Sequence, residues 1–258
     1  MLDLNGTSSI VTGGGSGLGE ATARLLASRG AKVVVVDLKD PKDVAGAVGG
    51  AFVQADVTDP EHVIQACETA MEMGPLRSVV TAAGIGMASR TIGRDGSYDS
   101  AHNLDLFRRV LEINLVGTFN CVRLAATAMS RTEPVDDDGH RGAIVTVSSV
   151  AGYEGQIGQV SYSASKGGVI GMVHPLARDL AVVGIRVNCI APGLIDTPIY
   201  GQGEGSEAFK EKLKRDVLFP DRLGRAEEFA TMALELLTNT YMNMQTIRVD
   251  GGIAFQPK

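Results

Sequence analysis

The sequence predicts an α/β fold: one doubly wound domain over residues 1–258, with a parallel sheet of about seven strands and helices on both faces. Three observations predict it. Short apolar segments alternate with helically periodic segments six times along the chain, the pattern of a parallel sheet covered on both sides. The four valines at 33–36 are apolar on both faces, as a doubly covered strand must be. No linker, repeat or low-complexity tract divides the 258 residues, a length such folds reach as one unit.

The elements follow in order. Residues 7–12 read as a buried strand running into a glycine-rich turn, and 17–28 as a helix ending at Gly30. Strands are expected at 32–36, with Asp37 at the end, and at 51–54. Asp59 and Pro60 open a helix, with proline at the first helical position. A fourth strand spans 76–81, a long helical segment 104–129 and a fifth strand 143–148. Residues 162–183 form a long helix, 185–190 a sixth strand, 226–237 a helix and 246–249 the last strand. Three stretches, 87–103, 133–141 and 198–221, are longer or more polar than ordinary connections. The last follows a strand end where ligands bind in such sheets, so 198–221 is expected to be a substrate lid.

Charge and composition exclude several classes. Lys plus Arg number 24 against 30 Asp plus Glu, a net charge of −6 with no basic run, which argues against nucleic acid or an anionic membrane as partner. The three cysteines, Cys67, Cys121 and Cys189, are far apart and in apolar settings, so buried reduced thiols are expected. The four histidines show no ligand spacing, and no metal site is expected. The first residues carry no signal or Arg-rich presequence, which gives a cytoplasmic expectation.

The first turn reads TGGGSGLG at 12–19. The GxGxxG spacing does not fit it, but TGxxxGxG does, through Gly13, Gly17 and Gly19. Glycines there allow a tight turn and close backbone approach to a pyrophosphate, and the following helix offers free N–H groups and its positive dipole end. Asp37 stands 18 residues after Gly19, close to the separation of a ribose-binding acid. Its carboxylate would accept from both ribose hydroxyls and repel a 2′-phosphate. This favours NAD over NADP, with Lys39 the residue that blurs the choice. The domain is then of Rossmann type.

Tyr162 and Lys166 stand at i and i+4 on one helix face, and Ser148 and Ser149 end the fifth strand. A free phenol titrates near ~10 and is a poor base at neutral pH. A nearby ammonium and a cationic nicotinamide would both favour phenolate and lower that value. Tyr162 could then exchange a proton with a substrate oxygen while Ser149 hydrogen-bonds the same atom.

With these residues in place the whole chain resembles the short-chain dehydrogenase/reductase family. The resemblance rests on TGGGSGLG at 12–19, Asp37, Asp56 and Val57, AAG at 82–84, Asn114, Ser149, Tyr162, Lys166 and PGLIDT at 192–197. It implies a catalytic set of Asn114, Ser149, Tyr162 and Lys166, with Asn114 holding a water near Lys166 in a proton relay. From the residues alone, Asn114 is a polar group that bends or caps an apolar helix. The resemblance also implies a cofactor site of Gly13, Ser16, Gly17, Leu18, Gly19, Asp37, Ala82, Gly84, Tyr162, Lys166 and Pro192. Asp56 and Val57 would contact adenine, and the Ile195 backbone and Thr197 would hold the nicotinamide amide. One departure is Thr81 where the family usually has Asn; a Thr81 side-chain hydrogen bond is expected to make up for it.

A closer likeness is carried by GTFNCVRL at 117–124, GYEGQIGQVSYSASKGG at 152–168, FPDRLGRAEEFA at 219–230 and IRVDGG at 247–252. These are similar to the type 2 3-hydroxyacyl-CoA dehydrogenase group. The implied reaction is NAD-dependent interconversion of a 3-hydroxyacyl-CoA and a 3-oxoacyl-CoA. Substrate contacts are expected from Ser149, Gln156, Gln159 and Tyr162, with Ile157, Ile199, Tyr200 and Phe209 as apolar lining. A hydroxysteroid or other secondary-alcohol dehydrogenase is the alternative enzyme. A cofactor-sensing binding protein is the alternative of another class, against which the intact catalytic set argues. Relatives are mostly tetramers, so a homotetramer joined through the two long helices and the last strand is expected.

Overall fold

The apolar segments pair into one parallel sheet of seven strands in the order β3-β2-β1-β4-β5-β6-β7. The computed structural model describes residues 1–201 and 204–255, without the side chains at 199 and 204. The strands are β1 (Ser8–Thr12), β2 (Lys32–Asp37), β3 (Ala51–Gln54), β4 (Leu76–Thr81), β5 (Gly142–Val147), β6 (Ile185–Pro192) and β7 (Thr246–Val249). The helices are α1 (Gly17–Ser28), α2 (Lys42–Ala47), α3 (Pro60–Met73), α4 (Leu104–Leu111), α5 (Gly117–Ser130), α6 (Val160–Ala181), α7 (Glu204–Leu213) and α8 (Ala226–Thr238).

Every residue of β1, β4, β5 and β6 is buried, as expected of central strands covered on both faces, and the polar residues among them, such as Arg77 and Arg186, are buried with the rest. Register puts Ile10 beside Val34 and Val79. These three, with Ile144 and Val187, form a core with Cys67 of α3, Val122 of α5 and Ala177 of α6. The alternate residues Val11, Val35, Val80, Val145 and Ile190 pack on the opposite face with Leu26 of α1 and Phe229 of α8. Each fully buried aliphatic side chain contributes about 1.5–3 kcal/mol. Among the described residues no helix is long and apolar enough to cross a membrane.

Asp59 caps α3 as expected, accepting from the Glu61 N–H at 2.9 Å with Pro60 at the first position. Elsewhere the structure departs from expectation. Helix α2 was hidden by Pro41, Gly46 and the glycines at 49 and 50. The 104–129 segment is not one regular helix: a π turn (Glu112–Val116) separates α4 from α5. Helix α6 starts two residues earlier than expected, at Val160, and ends at Ala181. The 198–221 stretch is largely helical, with α7 flanked by short 3₁₀ turns, Pro198–Tyr200 and Lys214–Asp216; positions 202–203 of that stretch lie outside the described residues.

Candidate active site

Strand order reverses between β1 and β4, and a cleft of about 460 Å³ opens at the carboxyl ends there. The glycine turn forms its floor. Gly13 has φ 65°, and a Cβ on it would lie 2.7 Å from the Ala83 nitrogen. A Cβ on Gly19 would run into the Gly13 carbonyl oxygen. Only glycine lets the turn close and α1 begin against it. Ser16 precedes α1 without a side-chain cap, so the first-turn N–H groups stay available. Asp37, at the end of β2, accepts from the Gly15 N–H and the Lys39 N–H, each at 3.1 Å. Asp56 accepts from the Thr58 N–H at 2.9 Å and its hydroxyl at 2.8 Å, and these bonds hold its carboxyl below the usual range.

These residues fit a dinucleotide. The floor is a cradle that side chains would fill, donors at the head of α1 suit a pyrophosphate, and an acid stands where a free ribose would lie. Gly13, Ser16, Gly17, Leu18, Gly19, Asp37, Asp56, Val57, Ala82, Gly84 and Thr197 all line the cleft. Pro192 does not; it ends β6, buried and paired with Val249. Ile195 is buried and bridges Gly224, beside a smaller cavity with Val217 and Pro220. A larger groove of about 660 Å³ lies between Met1–Leu4 and α8, away from the glycine turn and from Tyr162.

Beside the cleft sits the Tyr162–Lys166 pair. Spacing of i and i+4 on α6 brings the Lys166 Nζ 5.8 Å from the Tyr162 ring centroid. The Nζ donates to the Val147 carbonyl at 2.9 Å, and the Ser148 hydroxyl donates to the Lys166 carbonyl at 2.8 Å. Both contacts tie the helix to the end of β5. A Cβ on Gly84 would lie 3.6 Å from the same Nζ, so the lysine borders the dinucleotide cleft. The Ser149 hydroxyl accepts from the Ala151 N–H at 3.1 Å and lies near enough to the Tyr162 phenol to favour its ionised form.

Burial dominates the electrostatics of the pair. The Tyr162 phenol is pushed up by burial, against which the nearby Ser149 hydroxyl works. Burial pushes Lys166 down to about 8. Desolvation disfavours both charged forms.

Asn114 is fully buried on the π turn. Its Oδ1 accepts from the Ile85 N–H at 2.8 Å, and its Nδ2 donates to the Ile85 carbonyl at 3.0 Å. The side chain is thus committed to protein partners; its backbone carbonyl accepts from the Thr118 hydroxyl at 2.8 Å. Gln159 and Gln156 are joined to each other, the Gln156 N–H donating to Gln159 Oε1 at 2.9 Å, outside the dinucleotide cleft. Thr81 is buried but, among the described residues, its hydroxyl has no partner, so the expected side-chain bond is absent. Thr12 supports the turn instead: its hydroxyl accepts from the Ala83 N–H at 3.3 Å.

The model of the short chain dehydrogenase family matches residues 8–206. The chain belongs to the short-chain dehydrogenase family. It is 44% identical over 259 residues to 3-hydroxyacyl-CoA dehydrogenase type-2 of Bos taurus, covering 98% of this chain and 97% of that protein. The Homo sapiens protein of the same name is 43% identical, with coverage of 98% and 97%. A crystal structure of 3-hydroxyacyl-CoA dehydrogenase type-2 from Mycobacterium avium superposes with a TM-score of 0.93 at 44% identity, covering 100% of both chains.

Several cleft residues of this short-chain dehydrogenase escaped the sequence reading, Ala55 and Ile85 among them. Arg109 and Ile113 line the cleft from the end of α4 and the π turn. Their i, i+4 spacing marks a shared helix face, but nothing in the sequence says which face meets the cleft. The structure also groups Asp136, Asp138 and His140, whose ligand atoms lie within 4.8 Å of one another. They sit on the loop before β5, and Asp136 is already paired with His140 at 2.7 Å.

Proposed function

We propose that the site interconverts an (S)-3-hydroxyacyl-CoA and the 3-oxoacyl-CoA with NAD as cofactor. The observation that carries this reading is the meeting of Tyr162, Lys166 and Ser149 with the glycine-floored, Asp37-bearing cleft at Gly84. The likeness of the whole chain to proteins named 3-hydroxyacyl-CoA dehydrogenase type-2 supports the substrate class. Bound NAD⁺ supplies the hydride acceptor, and NADH the donor in the reverse direction. Asp37 would accept from the ribose hydroxyls, and the head of α1 would hold the pyrophosphate. Thr197 and the Ile195 backbone, with Pro192 shaping their turn, would hold the nicotinamide amide. Asp56 and Val57 would contact the adenine.

In reduction, Tyr162 delivers its phenolic proton to the carbonyl oxygen while Ser149 donates a hydrogen bond to the same atom. In oxidation, the phenolate takes the hydroxyl proton. The burial that raises the phenol keeps it protonated in the neutral range, which suits the reducing direction. Lys166 stabilises the phenolate once the proton has left, and Asn114 would hold a water near Lys166 in the relay that restores it. Gln156 and Gln159 form the wall beyond Ser149, and 198–221 covers the substrate. The free, buried Cys67, Cys121 and Cys189 support a reducing compartment, and the proposed location is the cytoplasm. Exposed Val116 and Phe119, together with Val160 on α6, support a homotetramer.

Tyr162→Phe tests the reading. With acetoacetyl-CoA and NADH followed at 340 nm, the variant is expected to lose nearly all turnover while binding NADH as the parent does. Retained turnover would refute the assignment of Tyr162. Acyl-CoA, steroid and simple alcohol substrates compared in the same assay test the substrate class.

A further inference from the structure

Ser165 has no part in the chemistry assigned above, yet it is fully buried immediately before Lys166. Its hydroxyl donates to the Tyr162 carbonyl at 2.7 Å, three residues back in the same helix. Its oxygen also accepts from Asn114 Nδ2 at 3.1 Å, across the interface between α6 and the π turn. Asn114 pairs both ends of its amide with the Ile85 backbone, and Ser165 takes the remaining amide hydrogen. Turning the amide over would set its NH₂ against the Ile85 N–H and its oxygen against the Ile85 carbonyl. The orientation is therefore fixed, and one hydrogen-bonded chain runs from the Tyr162 carbonyl through Ser165 and Asn114 to Ile85.

The position of that chain gives it consequence. A Cβ on Gly84 would lie 3.1 Å from Asn114 Oδ1 and 3.6 Å from Lys166 Nζ. Asn114 and the ammonium thus share one small gap, and a shift of the π turn alters the surroundings of both. Alanine at position 165 would serve the helix as well as or better than serine, but it would leave a buried Asn114 N–H without an acceptor.

We propose that Ser165 is a positioning residue for proton exchange at Tyr162 and Lys166, acting by fixing the Asn114 amide and the π turn that carries it. The inference rests on the catalytic reading above. The titratable groups that face Lys166 are Tyr162 on its own helix and Cys189 on β6; a change at Ser165 removes a bond to the Tyr162 backbone carbonyl but none to its phenol or to the Cys189 thiol.

The test compares the full chain with Ser165→Ala, Ser165→Cys, Asn114→Ala, Ser165→Ala/Asn114→Ala and Tyr162→Phe, using acetoacetyl-CoA and NADH. Measured are kcat, KM for each substrate, the pH at which kcat halves, and the thermal midpoint. Loss of one buried hydrogen bond gives an expected fall in kcat of about tenfold in Ser165→Ala, with KM for NADH unchanged and a moved pH limb. The double variant is expected to be no slower than Asn114→Ala alone. Ser165→Cys, of similar volume with a weak sulfur acceptor, is expected between parent and alanine. Parental kcat and pH limb in Ser165→Ala, with only a lowered thermal midpoint, would overturn the role. If the alanine variant does not fold, parental kcat and pH limb in Ser165→Cys overturn it instead. Activity surviving in Tyr162→Phe would overturn the catalytic reading itself; an inactive Tyr162→Phe beside a fully active Ser165→Ala overturns only the role of Ser165.

Discussion

Asp37 shows how one carboxylate selects a cofactor. Gly15 and Lys39 hold it by backbone N–H groups at 3.1 Å, so its oxygens keep their direction at the rim of the cleft. Charged hydrogen bonds of this kind contribute about 1.5–3 kcal/mol each. Asp37→Ala is expected to weaken NADH binding by roughly one to two orders of magnitude and to narrow the gap to NADPH, as read by fluorescence titration. Unchanged NADH affinity would remove Asp37 from the site. Lys166 gives a pH prediction. Its folded value of about 8 lies below the ordinary 10.5, so the ammonium is present below about 8 and is lost as pH rises through it. Reduction of acetoacetyl-CoA is expected to decline across that limb in a pH profile of kcat. The sign for stability is the opposite: between about 8 and 10.5 the unfolded chain binds more protons, so this group's burial penalty, full below 8, is relieved as pH rises. The residue types and spacings of Asp37, Tyr162 and Lys166 were legible in the sequence. The direction of the Tyr162 shift was not, because it depends on how much water the fold removes.

A start signal made one helix readable at its first residue, and the lack of one helped to hide another. Asp59–Pro60 announced α3, whereas α2 begins at a proline without a side-chain cap and contains a glycine. Asn114 was read as a bend in an apolar helix, and the π turn is that bend. Its reason, pairing with Ile85 on a loop 29 residues away, is tertiary and leaves no local mark. Helix α8 yields a stability prediction. Glu228, in its first turn, accepts from the Arg225 N–H at 2.7 Å and pairs with Arg222 at 2.6 and 2.9 Å. Glu228→Ala is expected to cost about 1 kcal/mol, mostly through the lost cap because the ion pair is solvent-screened. By differential scanning fluorimetry this is a fall of about 2–4 °C. Arg222 holds the carboxyl at about 2, below the ordinary 4.5, so the contribution is present above about 4.5 and fades as pH falls toward 2. The difference between parent and variant should shrink over that window.

The whole sheet was legible because its strands are short and largely apolar, and most are followed by a helical pattern. Strand order and the placing of the cleft follow from parallel crossovers once those strands are accepted. The wall beyond Ser149 and the helical content of 198–221 were less legible, since their shape depends on contacts rather than on periodicity. Exposed Val116 ends the π turn, Phe119 lies on α5 and Val160 on α6, while Val182 just past α6 is 87% exposed. If the proposed tetramer forms, light scattering behind a sizing column should give about four times the 27.0 kDa chain mass; a stable monomer would contradict it. The glycine turn, Asp37, Gly84 and Ser149 all hang from the carboxyl ends of strands, whereas the loop 133–141 feeds the amino end of β5. That rim lies at the opposite end of the strands from the cleft, so a fluorophore, a fusion partner or a solid support attached there would leave the mouth of the enzyme unobstructed.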